Sequence, residues 1–227
     1  MPDRTPCART FSVRMGLLLV ALILAGFVGR ALVAAEADAP AAAVLVPHIA
    51  TIGLWYLLFV QQARWIGQRR TRTHRRFGYA SLPLALALLW TGVAVAAANY
   101  RIQQNAPLVF FNLLNLAQFA GLYAAALTRV RHPGSHGRLM LYASIAMMPP
   151  ALVRIVQAVS LPEPVTVVLI VALWVPGIRH DRATLGRVHR ATWIGVGVIA
   201  AGVAAGGPIG FSDGWAELVE AWFGPAR

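Results

Sequence analysis

Lysine is missing from this chain: all twenty of its basic residues are arginine. Cysteine is nearly missing too. Cys7 stands alone among polar residues ahead of the first apolar run, so neither an internal disulfide nor a CxxC metal or redox pair is available. It also lacks the small apolar residues that precede a lipoprotein cysteine. Charge is scarce. Charged residues make up 12% of the chain, against about 25% in soluble domains. Acidic residues are rarer still, eight in 227, and none falls inside a long apolar run, which argues against a proton pump built on intramembrane Asp or Glu. There is no nucleophile motif, phosphate loop or paired carboxylate, and no low-complexity linker to divide the chain, which reads as one integral membrane domain over residues 1–227.

What is present is apolar surface. The chain is 58% hydrophobic, with a mean hydropathy of +0.63, more than a soluble core of this size requires. A helix crosses the hydrocarbon with about 20 mostly apolar residues. That criterion predicts seven spans: Met15–Ala34, Val44–Ile66, Tyr79–Ala98, Leu108–Thr128, Leu139–Val159, Pro164–Ile178 and Ala191–Ile209. The sixth is the shortest and is bounded by Pro162, Pro164 and Pro176. No alternating strand pattern appears, so the expected fold is an all-α, multi-pass helix bundle. A short amphipathic helix with Trp215, Leu218, Val219, Trp222 and Phe223 is expected over 213–223 at the outer interface, capped by Ser212 or Asp213. The first span also has features of a signal peptide, ending at Ala34-Ala35-Glu36-Ala37. Its length and Arg30 favour a retained helix; cleavage would leave six spans.

Arginine placement orients the bundle. With the N-terminus in the cytoplasm, sixteen of the twenty arginines fall in cytoplasmic segments. These are Arg4, Arg9 and Arg14; Arg64, Arg69, Arg70, Arg72, Arg75 and Arg76; Arg129, Arg131 and Arg138; and Arg179, Arg182, Arg187 and Arg190. Glu36, Asp38, Glu163, Asp213, Glu217 and Glu220 then lie outside, with the C-terminus. This loop pattern accounts for the net charge of +12 without nucleic-acid binding. Exclusive arginine beside abundant alanine suggests a bacterial source, hence a bacterial inner membrane. The basic loops are expected to attract anionic lipid at the cytoplasmic face.

Histidine is the informative residue type. His74, His136 and His189 stand at the inner starts of the third, fifth and seventh spans, at similar depth. The positive end of a helix dipole disfavours protonated imidazole, leaving a lone pair for a transition metal or the iron of haem b. Loop histidines beside arginines also serve as plain helix caps or phosphate contacts. His48, at the outer start of the second span, lies roughly 30 Å from that trio and cannot share an ion with it.

Two polar stripes run inside the spans. His48, Trp55 and Gln62 are spaced by seven on one face of the second, and Asn112, Asn115 and Gln118 form another in the fourth. Such stripes face the bundle interior, where interhelical hydrogen bonds account for them or a polar cavity uses them. Arg154, after the helix-bending pair Pro149-Pro150, either snorkels to the outer interface, toward Glu163 or phosphate, or turns inward as an anion ligand. Gly202, Gly206 and Gly210 give overlapping small-xxx-small spacing, suited to close packing within the bundle or in a homodimer.

Several motifs together resemble a large family of small bacterial membrane proteins of uncharacterised activity. Phe11–Phe27 is similar to its first helix, and His48, Trp55 and Gln62 match its second-helix pattern. His74-Arg75-Arg76-Phe77-Gly78 corresponds to a His-Arg-x-Leu-Gly motif, with Phe for Leu. His136-Gly137-Arg138-Leu139-Met140 and Gly186-Arg187-Val188-His189 match two more. The likeness covers nearly the whole chain and implies a seven-helix bundle. The chain departs from the pattern at Asn112 and Asn115, where relatives carry an acid, and at Arg190, where they carry proline. The inner His-Arg-x-x-Gly pattern also resembles, distantly, haem-carrying membrane modules of the cytochrome b561 or ferric-reductase type. Three functional classes follow: a haem- or metal-binding protein at the cytoplasmic face, a small-molecule or lipid-handling protein with a polar cavity, and a ligand-free structural or assembly partner.

Overall fold

A computed structural model describes residues 6–33 and 42–224, with side chains described for 10–29 and 43–224. Arg4, Glu36, Asp38 and the Ala34–Ala37 stretch lie outside the described residues, as do the side chains of Cys7, Arg9 and Arg30. The described chain is helical throughout. Its elements are α1 (Pro6–Val33), α2 (Ala42–Gly67), α3 (Thr71–Gly78), α4 (Ser81–Gln103), α5 (Ala106–Thr128) and α6 (Pro133–Ala146). They continue with α7 (Pro149–Ala158), α8 (Val165–Ala172), α9 (Val175–Leu185), α10 (Arg190–Gly210) and α11 (Asp213–Phe223).

Among the described residues, five stretches are long and apolar enough to cross a membrane: Thr10–Gly29, Ala43–Gly67, Thr71–Gln103, Ala106–Thr128 and Arg190–Gly210. A sixth is the α6–α7 pair, bent by 43°. The bend has a local cause. Pro149 and Pro150 lack the N–H groups that would bond the carbonyls of Ile145 and Ala146, so the ladder breaks at Met147-Met148. The break itself is closed by a tight turn, Met148 N–H to Ile145 O, 2.9 Å.

The expected sixth span needs correction. Pro164–Ile178 is not one spanning helix but α8 and the start of α9, interrupted at Leu173-Trp174. Pro176 removes the donor that would bond Ala172 O, and Arg179, Asp181 and Arg182 follow too closely for a long apolar run. The segment nevertheless runs back along α6–α7. Tyr142 of α6 donates to Trp174 O at 3.3 Å, and one turn toward the start of α6 Arg138 meets Asp181 of α9. Contacts at 142 with 174 and at 138 with 181 are an antiparallel register. The third span also starts earlier than expected, since α3 precedes α4 and the two count as one stretch.

α1 is integral to the core: Met15, Leu19 and Ile23 are buried against Trp55, Phe59, Met148 and Leu152. Glycines set its approach to α7. A Cβ on Gly26 would meet Ala151 backbone at 2.8 Å. α5 is the central helix, packed against α4, α6 and α10. Gly202, Gly206 and Gly210 face it, with Gln118, Phe111 and Phe110 filling the space their missing side chains leave. The small-residue spacing thus serves packing inside the chain, and a homodimer through it would have to displace α5. Outward-facing Leu54, Leu57, Leu86, Trp90 and Trp193 are exposed, as lipid-facing residues are.

α11 forms as expected, with Ser212 as the cap: its hydroxyl accepts from Trp215 N–H at 3.2 Å. The helix is docked by Trp215 Nε1 donating to Ala106 O, 2.8 Å, and by Tyr100 donating to Glu220 Oε2, 2.6 Å. Val219 is buried with Tyr100, Ala106 and Val109.

Candidate functional site

The cavity candidates are spread along the bundle: His48 and Arg154 lie within electrostatic reach of each other, and Gln62 joins His74. His48, Trp55 and Gln118 each find a partner on a different helix. At one end His48 Nδ1 lies 3.2 Å from Thr91 Oγ1 of α4, and Thr51 joins the same hydroxyl at 3.1 Å. In the middle Trp55 donates to Ser144 Oγ at 3.2 Å and packs edge-on against Phe119 and Tyr123. Beside it Tyr56 donates to Ser144 O at 2.7 Å, supplying a donor next to the proline break. Gln118 donates to Val198 O of α10 at 2.9 Å. Asn115 is buried and Asn112 half-buried on the same helix. Arg154, half-buried, rests its guanidinium 5.9 Å above the Phe27 ring, within cation–π range. Polar groups satisfied one at a time are the pattern of interhelical fastening.

The opposite end, where the arginine-rich connections gather, carries two polar clusters. The first surrounds His74 and His136. Both stand in the first turn of their helices, α3 and α6, and their ring centroids are 6.3 Å apart with planes at 82°. His136 Nδ1 lies 2.9 Å from Ala126 O at the end of α5. A carbonyl only accepts, so Nδ1 carries the proton and Nε2 keeps its lone pair. Gln62 reaches the cluster from α2. Its amide satisfies all its neighbours when its nitrogen donates to His74 O, 3.1 Å, and His74 Nδ1, and its oxygen accepts from Gly78 N–H, 3.0 Å. In that arrangement His74 holds its proton on Nε2. The two rings are thus set in opposite tautomers.

The second cluster is built on Asp181, which is 1% exposed. Oδ1 accepts from Arg138 Nε at 2.8 Å and lies 2.6 Å from Arg138 Nη2. Oδ2 accepts from the backbone N–H of His189, 3.0 Å, and from Thr192 Oγ1, 2.5 Å. All four lone-pair directions of the carboxylate are used. Burial acts to raise this carboxyl; the bonds from Arg138, Thr192 and His189 outweigh it and hold it below its usual value. Arg138 Nη1 is further tied to Gly134 O, 2.8 Å.

His189 belongs to this second cluster. Its Nδ1 accepts from Ala191 N–H at 3.0 Å, so the side chain caps α10. The expected trio is therefore divided: His74 and His136 come together, while His189 is a helix cap on Asp181. Among the described residues no group of three His, Cys, Asp or Glu side chains is arranged to hold a metal. His180 stacks on Phe11 at 4.1 Å, tying α9 to the start of α1.

Sequence reasoning missed Asp181. The signal was there: it is the one acid among Arg179, Arg182, Arg187 and Arg190, and a lone acid within such a run invites a buried pair. It also missed Ser144, which ties Trp55 and Tyr56 of α2 to α6. Set against protein-family models, curated proteins and solved structures, the chain finds no match.

Proposed function

We propose that this is a bacterial inner-membrane protein, with the arginine-rich end in the cytoplasm and the C-terminus outside, that binds a transition metal or haem iron through His74 and His136. The observation that carries the reading is their 6.3 Å centroid separation. Two imidazoles gripping one ion from opposite sides hold their centroids roughly 6 Å apart, since each metal–nitrogen bond is about 2.0–2.1 Å and the ring supplies the rest. His136 has the orientation typical of a ligand, its second nitrogen donating to a carbonyl. Ligation by His74 would require Gln62 to turn its amide and accept from Nδ1–H, which frees Nε2 at the cost of the Gln62 bonds to His74 O and Gly78 N–H. Remaining coordination would come from porphyrin nitrogens or water. The family resemblance in the His-Arg-x-x-Gly and His-x-Arg-Leu-Met motifs covers these two histidines.

The test is an optical spectrum of detergent-purified protein from cells supplied with haem, together with metal analysis. A Soret band or a stoichiometric metal, lost in His74→Ala and in His136→Ala, supports the assignment. Absence of both in the unaltered protein ends it. Reporter fusions check the orientation: a fusion near Arg72 should report cytoplasm and one after Phe223 periplasm.

A second reading has its own support. The mutual satisfaction of His48 with Thr91, Trp55 with Ser144 and Gln118 with Val198 favours a ligand-free structural or assembly partner over a cavity protein. It predicts neither spectrum nor metal, and a chain that co-purifies with other membrane proteins.

A further inference from the structure

The corner between α2 and α3 carries a dense positive charge that no carboxylate among the described residues pairs. Arg64, Arg69, Arg70, Arg72, Arg75 and Arg76 fall within thirteen residues, and all six are exposed. Between Asp38 and Glu163 the sequence contains no acid at all. Among the described residues no carboxylate pairs with any of the six, whereas Arg138 at the same end is matched by Asp181.

Their placement adds a second constraint. The Thr71–Gln103 stretch is 33 residues long. At about 1.5 Å per residue it exceeds a hydrocarbon core of about 30 Å by well over a turn. The surplus is α3, whose outward face is arginine and whose inward residue is His74. Aromatic groups mark the boundary: Trp65 and Phe77 pack with centroids 4.9 Å apart, and Tyr79 is 75% exposed where α3 meets α4. Aromatic rings at this level favour the headgroup layer. The guanidiniums above them then stand at phosphate depth.

We infer that the α2–α3 corner is a binding surface for anionic phospholipid headgroups, with Arg70, Arg72, Arg75 and Arg76 as phosphate donors and Trp65, Phe77 and Tyr79 bracketing the upper acyl chains. Guanidinium suits this task because it presents a planar fork of donors to phosphate oxygens. Zwitterionic lipid offers the same phosphate but cancels it with its own cation, so discrimination should follow net headgroup charge. The assignment depends on neither the His74–His136 reading nor the side on which this end lies.

The experiment uses the full chain in mild detergent, titrated with phosphatidylglycerol, phosphatidylcholine or inorganic phosphate. Thermal melting and lipid adducts in native mass spectrometry give the readout. Phosphatidylglycerol should raise the melting temperature and persist as an adduct, and phosphatidylcholine and phosphate should do neither. R72Q/R75Q/R76Q should weaken the effect roughly a hundredfold at low salt, at about 1 kcal/mol per arginine. R129Q/R131Q should leave it intact, and R72K/R75K/R76K should retain most of it. Equal binding of phosphatidylcholine, an effect reproduced by inorganic phosphate, or a triple variant that folds and binds like the parent would each overturn the proposal.

Discussion

The two polar clusters at the arginine-rich end are built from the same kinds of residue and reach opposite conditions. Around Asp181 every hydrogen-bonding direction of the carboxylate is filled, and the four groups that fill it come from α6, α10 and the turn before α10. Around His74 and His136 each ring is anchored through Nδ1, by Gln62 and by Ala126 O, which leaves Nε2 of His136 with a lone pair and Nε2 of His74 with the proton. A saturated cluster fixes helices in place, whereas in the histidine pair one nitrogen of each ring, a lone pair on His136 and an N–H on His74, lies outside these bonds. The difference divides histidines that the sequence presents as equals.

The largest effect should come from breaking the saturated cluster. Asp181→Ala removes the acceptor for Arg138 Nε, Thr192 Oγ1 and the His189 N–H at once, and strands a guanidinium that is only 13% exposed. Removing one partner of a buried pair costs about 3–5 kcal/mol. A melting temperature in detergent well below that of the parent is the expected reading, and an unchanged value would show that the cluster is ornamental. Acid should act the same way. The Asp181 carboxyl lies below its ordinary value, so its contribution is complete above about 3.8 and is lost as pH falls further, through the lowered folded value. An acid melt of the parent should therefore contain a loss that Asp181→Ala lacks.

The His74–His136 pair should respond in the other direction, with modest stability change and a large change in binding. His136→Ala gives up one bond to a backbone carbonyl, about 1 kcal/mol. If the pair holds an ion, the same substitution should lower metal or haem affinity at least a hundredfold in equilibrium titration. A His136 variant that melts as far down as Asp181→Ala and shows no binding defect would erase the distinction between the clusters.

Much of this was legible in the sequence, and the exceptions are physical. Apolar length found every long helix, and Pro149-Pro150 announced the 43° bend. The α8–α9 segment was misjudged because hydropathy does not register the donor that Pro176 lacks, nor the need for Asp181 to reach Arg138. The leaflet grouping brought His74 and His136 together correctly in depth. Depth does not fix lateral position, however: Ala126 O draws His136 toward α5, while Ala191 N–H holds His189 on α10. Heptad spacing likewise put His48, Trp55 and Gln62 on one face of α2, but a helix 26 residues long passes different neighbours along that face.

The smallest expected effect is also the cleanest separation of cap from ligand. His189 Nδ1 accepts from Ala191 N–H, one of the orphan donors at the start of α10. His189→Ala should cost about 1 kcal/mol, the usual value of an N-cap. His189→Ser should recover most of it, because a hydroxyl accepts the same bond. Neither variant should alter a haem spectrum or metal content that depends on His74 and His136. If serine restores the melting temperature but both variants lose the bound ion, His189 is a ligand as well as a cap, and the division between the two clusters is wrong.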